Sequence, residues 1–313
     1  MLRSIIRRSI SLLGMLLVMS LVAFIATRLI PGDPIVTMLG DRPVSQDVIV
    51  RLRHLYGLDL PIWKQYSNYL YGFLRGDLGL SYFEIGKPVA EIITRSFLIT
   101  LKLTVIAFPV ALVFGTLLGI AAAYYQDTWV DMLVSSYVVL ASSIPSMAVG
   151  AFLIVVFSLK LQLLPVAGWG TPAEAVLPIV MIAHWPAASL AKLSRACILE
   201  ELGKGYIMTA QAKGLSKIAV FFKHAFVNTL VPLSTSMGLI FGHLLEGSFV
   251  TETMFNIPGL GRVAVDAIYQ RDYPVIMATI LLATLIYGAV NLIVDIGYYV
   301  FDPRLKTGDQ YDV

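Results

Sequence analysis

The sequence contains few charged residues. Asp, Glu, Lys and Arg together account for 14% of its 313 residues, whereas soluble proteins average about 25%. Hydrophobic residues account for 58%, and long apolar runs recur along the whole chain. Because no soluble domain of ordinary size fits between these runs, the composition is typical of a membrane protein.

Cysteine is almost absent. Cys197 is the only one in the sequence, which excludes an internal disulfide and a cysteine-based metal site. The four histidines are scattered, so we expect no metal site. The net charge of +3 is small, and the basic residues are dispersed or lie beside apolar runs, so we expect no nucleic acid partner.

The motifs of nucleotide and hydrolytic chemistry are missing as well. The sequence has no phosphate-binding loop of the form G-x-x-x-x-G-K-[ST], no H-E-x-x-H and no G-x-S-x-G. We therefore expect a chain that is not an enzyme, does not hydrolyse ATP by itself and holds no cofactor.

What the sequence does have is apolar stretches of the length that crosses a bilayer, about 20 residues. Six candidates lie near residues 10–30, 97–124, 132–159, 175–192, 226–250 and 275–301. The fourth is the weakest because it is short and contains Pro178, His184 and Pro186. If it entered and left the membrane on one side, the topology after it would invert. The sequence predicts an all-α membrane protein with six transmembrane helices.

The basic residues orient these spans, since short cytoplasmic loops retain Lys and Arg. The segment 192–224 contains six of them: Lys192, Arg195, Lys204, Lys213, Lys217 and Lys223. The short connections on the other side contain only Lys160, Arg262 and Arg271. We therefore expect the segment 192–224 and both termini to lie in the cytoplasm.

The long connection 31–96 is predicted to fold outside the membrane as a small helical cap. Ser45 can cap a first helix that Gly57 ends, and a second helix can follow Pro61. The cap either packs over the membrane helices or serves as a docking surface for an external partner. The sequence supports both interpretations equally.

Polar residues within a span are costly, since a charge at the bilayer centre costs about 2.5 to 3.5 kcal/mol even by low estimates. His243 and Glu246 lie three residues apart in the fifth span and therefore share a helix face. They either line the path of a transported solute, which we favour, or form an internal pair satisfied by neighbouring helices. His184, beside Pro186, is better interpreted as a structural residue bonded to a carbonyl that the proline frees.

The segment 192–224 is more than a connector. Residues 204–213 predict a short helix that Gly214 ends, and Ser216 can cap the next helix. Such a hairpin either lies on the membrane surface or presents a rigid knob to a cytoplasmic protein that supplies energy.

This hairpin resembles part of a known family. The stretch Met208-Thr209-Ala210-Gln211-Ala212-Lys213-Gly214, followed by His224, Asn228 and Pro232, resembles the coupling motif of the ABC importer permeases for dipeptides, oligopeptides and nickel. Met208 stands where the general motif has glutamate, and His224 stands where it has isoleucine.

Other blocks resemble the same family along almost the whole chain. The early blocks are Pro31-Gly32-Asp33-Pro34, Gly57-Leu58-Asp59 and Gly76-Asp77-Leu78-Gly79. The later blocks are Glu252-Thr253, Pro258-Gly259-Leu260-Gly261, Arg271-Asp272-Tyr273-Pro274 and Asp302-Pro303-Arg304. Their order and spacing resemble the first of the two permease subunits in these systems.

The resemblance implies a type I ABC importer permease fold in the bacterial cytoplasmic membrane: one permease domain over 1–313, with the external cap at 31–96 and a cytoplasmic coupling hairpin at 192–224. It implies a second homologous permease, an external solute-binding protein, and two cytoplasmic ATPases that bind ATP and Mg. The ATPase contact falls within Met208–Gly214, with Thr209, Ala210 and Gly214 at the matched positions. The implied solutes are di- or oligopeptides, and nickel or a metal chelate is the alternative.

Two functions of other classes compete with transport. An intramembrane hydrolase would require a nucleophile and a base at membrane depth, and the sequence offers none with convincing spacing. A membrane receptor or scaffold would use the hairpin to recruit a signalling protein.

Overall fold

The structure, a computed structural model, describes residues 2–40 and 44–301. Inside the helices, the side chains of residues 2–6, 235, 246, 247 and 293–301 lie outside this description, as does the predicted block Asp302-Pro303-Arg304. The described residues form helices and connections, and the sole β pairing among them is an isolated bridge between Leu80 and Pro88. The expectation of an all-helical protein is confirmed.

Long and short helices alternate along the chain. The long ones are α1 (Leu2–Leu29), α5 (Val89–Tyr124), α8 (Pro172–Leu202), α11 (Val227–Met254) and α13 (Tyr273–Phe301). The short ones are α2 (Pro34–Leu39), α3 (Gln46–Leu55), α4 (Ile62–Leu74), α6 (Trp129–Ser143), α7 (Ser146–Leu153), α9 (Gly205–Ala212), α10 (Lys217–Ala219) and α12 (Leu260–Gln270). Two π-helical segments, Ile154–Lys160 and Val220–Phe226, continue α7 and α10.

Four helices in the described part of the chain are long and apolar enough to cross a membrane. They are Arg7–Leu29, Val89–Tyr124, Pro172–Leu202 and Tyr273–Leu292. Two further pairs pass the same test only when each bent pair is taken as one span: Trp129–Ser143 with Ser146–Lys160, bent by 108°, and Lys217–Ser234 with Ser236–Met254, bent by 44°. The described residues thus contain four to six candidate spans.

The interruption falls in a different span from the one that the sequence marks as weakest. Helix α8 is continuous over 31 residues in spite of Pro178 and Pro186. Its start is fixed by Thr171, whose hydroxyl accepts from Glu174 N while the Glu174 carboxylate accepts from Thr171 N. The break lies instead between α6 and α7, because a residue before proline avoids the helical region and Ile144, before Pro145, is extended.

The chain divides into two compact units. The first combines Met1–Leu101 with Asn256–Ala289, and the second combines Lys102–Phe255 with Val290–Val313. In the first unit, apolar residues around the start of α5 pack against α12 and the start of α13. This core consists of Tyr82, Val89, Ile92, Ile93, Leu260, Ala267, Tyr273, Val275, Ile276 and Ala278.

In the second unit, α5 packs closely against α8. A Cβ atom added to Gly115 would lie 2.8 Å from Leu190 Cβ and 2.9 Å from Ala187 Cα, and one added to Gly119 would lie 2.6 Å from the Ala191 carbonyl oxygen. Small residues let membrane helices approach until their backbones are in contact, where dispersion forces act at short range. The two glycines therefore serve packing inside this chain.

Substituting Gly115 with alanine is expected to destabilise the second unit. The added methyl group has no space unless α5 and α8 separate, and such overpacking typically costs about 1–3 kcal/mol. Thermal unfolding of the purified protein in detergent should show a lower Tm. The matched control is Gly14→Ala in α1, where no atom lies within 4 Å of the new Cβ and alanine favours the helix. Equal Tm values for the two variants would contradict this packing.

Candidate coupling site and solute path

The hairpin predicted at 192–224 consists of the end of α8, helix α9 and a turn into α10. Helix α9 ends before Gly214, whose φ of +83° is in the left-handed region. The Ser216 hydroxyl then accepts from Ala219 N at 3.3 Å and caps α10. The helix, glycine, helix sequence expected from the pattern is present.

One face of α9 is buried inside the chain. Ile207 is 1% exposed and Ala210 is 7% exposed, and both pack against Val220 and Ala225. The resemblance implies an ATPase contact at Ala210, and this contact stays a prediction; the structure places the Ala210 side chain on the buried face of α9. Ala210 is small where α9 approaches the following helix, which is a packing requirement.

The opposite face of α9 is exposed. It presents Met208, Thr209, Gln211, Ala212 and Lys213. Met208 is 64% exposed, and the Thr209 hydroxyl donates to the Gly205 carbonyl at 3.2 Å. The surface offers an apolar thioether, an amide and an ammonium group on a short helix with a fixed end.

Tyr206 fastens α9 to the helices on both sides of it. Its hydroxyl donates to the Glu201 carboxylate at the end of α8 and accepts from Asn228 Nδ2 at 2.9 Å at the start of α11. Asn228 Nδ2 also donates to the His224 carbonyl at 2.8 Å. One hydroxyl group thus joins α9 to both α8 and α11 by hydrogen bonds.

The protonation states of Tyr206 and Lys204 match the hydrogen bonds that these residues make. Partial burial, and then the hydrogen bond to Glu201, raise the pKa of the Tyr206 hydroxyl, so it keeps its proton and donates at neutral pH. The hydrogen bond to Glu201 raises the pKa of the exposed Lys204 ammonium. Both groups keep the protonation state that the contact requires across the neutral range.

A bidentate ion pair holds α6 against the end of α8, where the hairpin begins. Arg195 donates through Nε and Nη2 to the two carboxylate oxygens of Asp131, each at 2.7 Å. Asp131 is 6% exposed and also accepts from Asp127 N at 3.2 Å. The sequence counted Arg195 among the topology-setting basic residues and missed this role. In the sequence, the only indication of this ion pair is Asp131 itself, an aspartate in the first turn of another span.

The sequence blocks of the predicted cap are brought together in the first unit. The Arg271 guanidinium occupies the space beside Gly32, where an added Cβ would lie 2.8 Å from Arg271 Cζ, and it donates to Thr37 Oγ1 at 3.2 Å. The Asp272 carboxylate accepts from the Ser81 hydroxyl and from Phe83 N at 3.2 Å. These hydrogen bonds thus join residues that lie about 190 to 240 positions apart in the sequence.

The two helices predicted within the cap are present as α3 and α4. Ser45 occupies the capping position before α3, but its side chain makes no capping hydrogen bond. At the end of α3, His54 Nδ1 lies 2.8 Å from the Asp59 carboxylate. That hydrogen bond lowers the pKa of Asp59.

His243, one of the two predicted path residues, lines a cavity in the second unit. The cavity has a volume of about 310 Å³, and the His243 ring meets the Trp185 ring edge-to-face at a centroid distance of 6.1 Å. The side chain of Glu246, the second predicted residue, lies outside the described residues. The two helices that wall the cavity here are α8 and α11.

His184, next to Trp185, makes a different set of contacts. Its Nδ1 lies 2.5 Å from the Met181 carbonyl oxygen, and its own carbonyl accepts from the Tyr137 hydroxyl at 2.9 Å. Pro186 frees the carbonyl four residues earlier, that of Ile182, so His184 bonds to a carbonyl but not to the freed one. Within residues 2–40 and 44–301, no group of three His, Cys, Asp or Glu side chains could hold a metal ion.

Two family models match the chain. "Binding-protein-dependent transport system inner membrane component" matches residues 115–307, and "Binding-prot-dependent transport system membrane comp, N-term" matches residues 1–107. Together they cover nearly the whole sequence.

Curated relatives match over the same length. The glutathione transport system permease protein GsiC of Shigella flexneri serotype 5b (strain 8401) is 39% identical over 306 residues, which cover 98% of this chain and 99% of the relative. GsiC of Escherichia coli (strain K12) gives the same identity and coverage.

Solved structures share the fold. An inward-facing structure of the MetNI methionine ABC transporter matches with a TM-score of 0.55 at 19% identity, over 68% of this chain and 99% of that one. An amino acid ABC transporter with histidines matches with a TM-score of 0.55 at 15% identity, over 67% and 94%. The chain therefore belongs to the family of inner-membrane components of binding-protein-dependent transport systems, the permease subunits of ABC importers.

Proposed function

We propose that this permease imports di- or oligopeptides with energy from ATP that separate subunits hydrolyse. The observation on which this proposal depends most is the exposed face of α9, which is fixed through Tyr206 to two long helices. A short helix that is rigidly attached and exposed on one side is suited to receive a displacement from a partner protein.

The peptide class is supported by the relatives. The GsiC proteins are named for glutathione, a tripeptide, and match this chain end to end. Nickel or a metal chelate, the alternative from the sequence, is not favoured by these relatives. Family membership likewise leaves the receptor or scaffold hypothesis without support.

The arrangement that we propose has six spans, with each bent pair crossing the membrane once and both termini in the cytoplasm. The cap at 31–96 then lies outside, where it can meet a solute-binding protein, and the hairpin at 192–224 lies inside, where it can meet an ATPase. A second homologous permease and two ATPases complete the assembly, as is general for ABC importers. The basic residues of the hairpin support this orientation.

In the proposed coupling step, an ATPase binds the surface formed by Met208, Thr209, Gln211, Ala212 and Lys213. Closure of the ATPase pair displaces α9. The Tyr206 hydroxyl passes the displacement to α8 and α11, and the Arg195–Asp131 ion pair passes it from α8 to α6. Asp131 is buried while Arg195 is partly exposed, and breaking the pair would remove the opposite charge from the Asp131 carboxylate, so α6 and α8 move together.

The solute path in this proposal includes His243 and Glu246 on α11. His243 is exposed and lines the cavity in the second unit. Exposed ionisable residues within a span face protein or water-filled space far more often than lipid. Helix α11 connects this cavity directly to Asn228 at the hairpin.

Placing valine at Gly214 is expected to separate ATP hydrolysis from uptake. A β-branched residue does not tolerate a φ of +83°. No atom obstructs the new side chain, so the substitution strains only the backbone of the turn that sets the direction of α9. Uptake of labelled peptide per ATP hydrolysed, measured with the complete importer in proteoliposomes, should fall about tenfold or more, an estimate from the effect of small misplacements.

The matched control is Gly205→Val at the start of α9. No atom lies within 4 Å of its added Cβ, and its φ is not positive, so uptake per ATP should be retained. Normal coupling in the Gly214 variant would contradict the proposed role of the hairpin. Failure of the unmodified importer to accumulate any peptide in an ATP-dependent way would contradict the proposed function itself.

Replacing His243 and Glu246 together by leucine is expected to alter which peptides are imported. The double variant removes an imidazole and a carboxylate from the proposed path, so the relative uptake of acidic and basic peptides should shift by about tenfold. Uptake is normalised to the amount of permease in the membrane. An unchanged preference would assign the pair to internal packing.

A further inference from the structure

The cavity beside His243 is lined by residues that have no role in the proposed coupling step. It lies where the third candidate span is broken, and α7 begins at its edge with Ser146. Irregular backbone at membrane depth is tolerated only when it is buried in protein or lines a water-filled space. The break thus agrees with an open cavity at this position.

The cavity has an apolar floor and a flat aromatic wall. Met181, Ile182 and Leu244 form the floor, and the Trp185 ring stands beside His243. The side chains of Asp, Glu, Lys and Arg are absent from the described residues that line it. A charged group placed against Met181, Ile182 and Leu244 would lose hydration, which costs free energy.

The floor is held firmly in place. Met181 is fully buried, and a Cβ added to Gly150 would lie 2.5 Å from its sulfur atom. His184 directs its ring to the Met181 carbonyl, so the two neighbouring aromatic residues have separate roles. Trp185, by contrast, is 41% exposed.

From this geometry we propose that Trp185 determines specificity: its ring, with the apolar floor, receives an uncharged, apolar side chain of the peptide during translocation. The proposal rests on the proposed peptide import. A volume of about 310 Å³ is at the small end of ligand pockets, so it accommodates one side chain with adjoining backbone. Ser146 and His243 at the edge can hydrogen-bond that backbone.

The test uses the complete importer in proteoliposomes with two labelled tripeptides, Ala-Phe-Ala and Ala-Lys-Ala. Each is supplied in a separate assay at a concentration that saturates the solute-binding protein, so the preference of that protein does not enter the ratio of rates. Trp185→Ala is expected to lower the Phe-to-Lys rate ratio about tenfold. Trp185→Phe, which keeps an aromatic ring, should retain most of the Phe-to-Lys rate ratio of the unmodified importer.

The matched control is Trp129→Ala. Trp129 is 69% exposed and lies outside the cavity lining, so its loss should leave the ratio unchanged. Because the ratio is taken within each variant, a lower amount of assembled complex does not affect it.

The outcomes are distinct. If the unmodified importer transports neither tripeptide, the proposed function fails. If it transports them and Trp185→Ala leaves the ratio unchanged, the specificity role of Trp185 fails. A selective loss of the lysine peptide would also overturn it, because it would mean that the ring acts on a cation through its π face.

Discussion

The hydrogen bonds of the Tyr206 hydroxyl are the interaction on which the proposed role of the hairpin depends most, beside the apolar contacts of Ile207, Ala210 and Phe221. The hydroxyl donates to Glu201 at the end of α8 and accepts from Asn228 near the start of α11, while the inner face of α9 is packed by Ile207 and Ala210. Without these contacts α9 would be a short helix on a flexible connection, since helices of this length are marginal by themselves. With them, the exposed face of α9 becomes a rigid extension of two long helices.

Helix α8 connects the proposed ATPase contact at α9 with the proposed solute cavity. From Trp185 at the cavity to its end at Leu202 it runs about 25 Å at the usual rise per residue. Close packing at Gly115 and Gly119 fixes it to α5, and Arg195 fixes it to α6. In the proposed coupling step, a displacement at α9 reaches the cavity through packed helices, which transmit strain because their interiors are hard to compress.

Much of this arrangement is predictable from local sequence rules. The end of α3 and the helix, glycine, helix order of the hairpin follow from Gly57 and Gly214, which have positive φ, and the start of α10 follows from its capping residue Ser216. The burial of Ala210 and the ion pair of Arg195 are not predictable in this way, because the direction of a side chain depends on partners distant in sequence, here Val220 and Asp131. The break before Pro145 is not predictable from composition, because apolar residues continue through it, and the prolines of α8 suggest a weakness that the continuous helix does not have.

The central claim is that the exposed face of α9 binds the ATPase, and photocrosslinking tests it most directly. Cys197 is replaced by serine, one cysteine is introduced as Thr209→Cys, and a benzophenone is attached to it in the assembled, transporting complex. We expect an adduct with an ATPase subunit, and none from a probe at Tyr71, which is 57% exposed in the cap. A complex that transports peptide but gives no ATPase adduct from position 209, or gives one from position 71, would contradict this account.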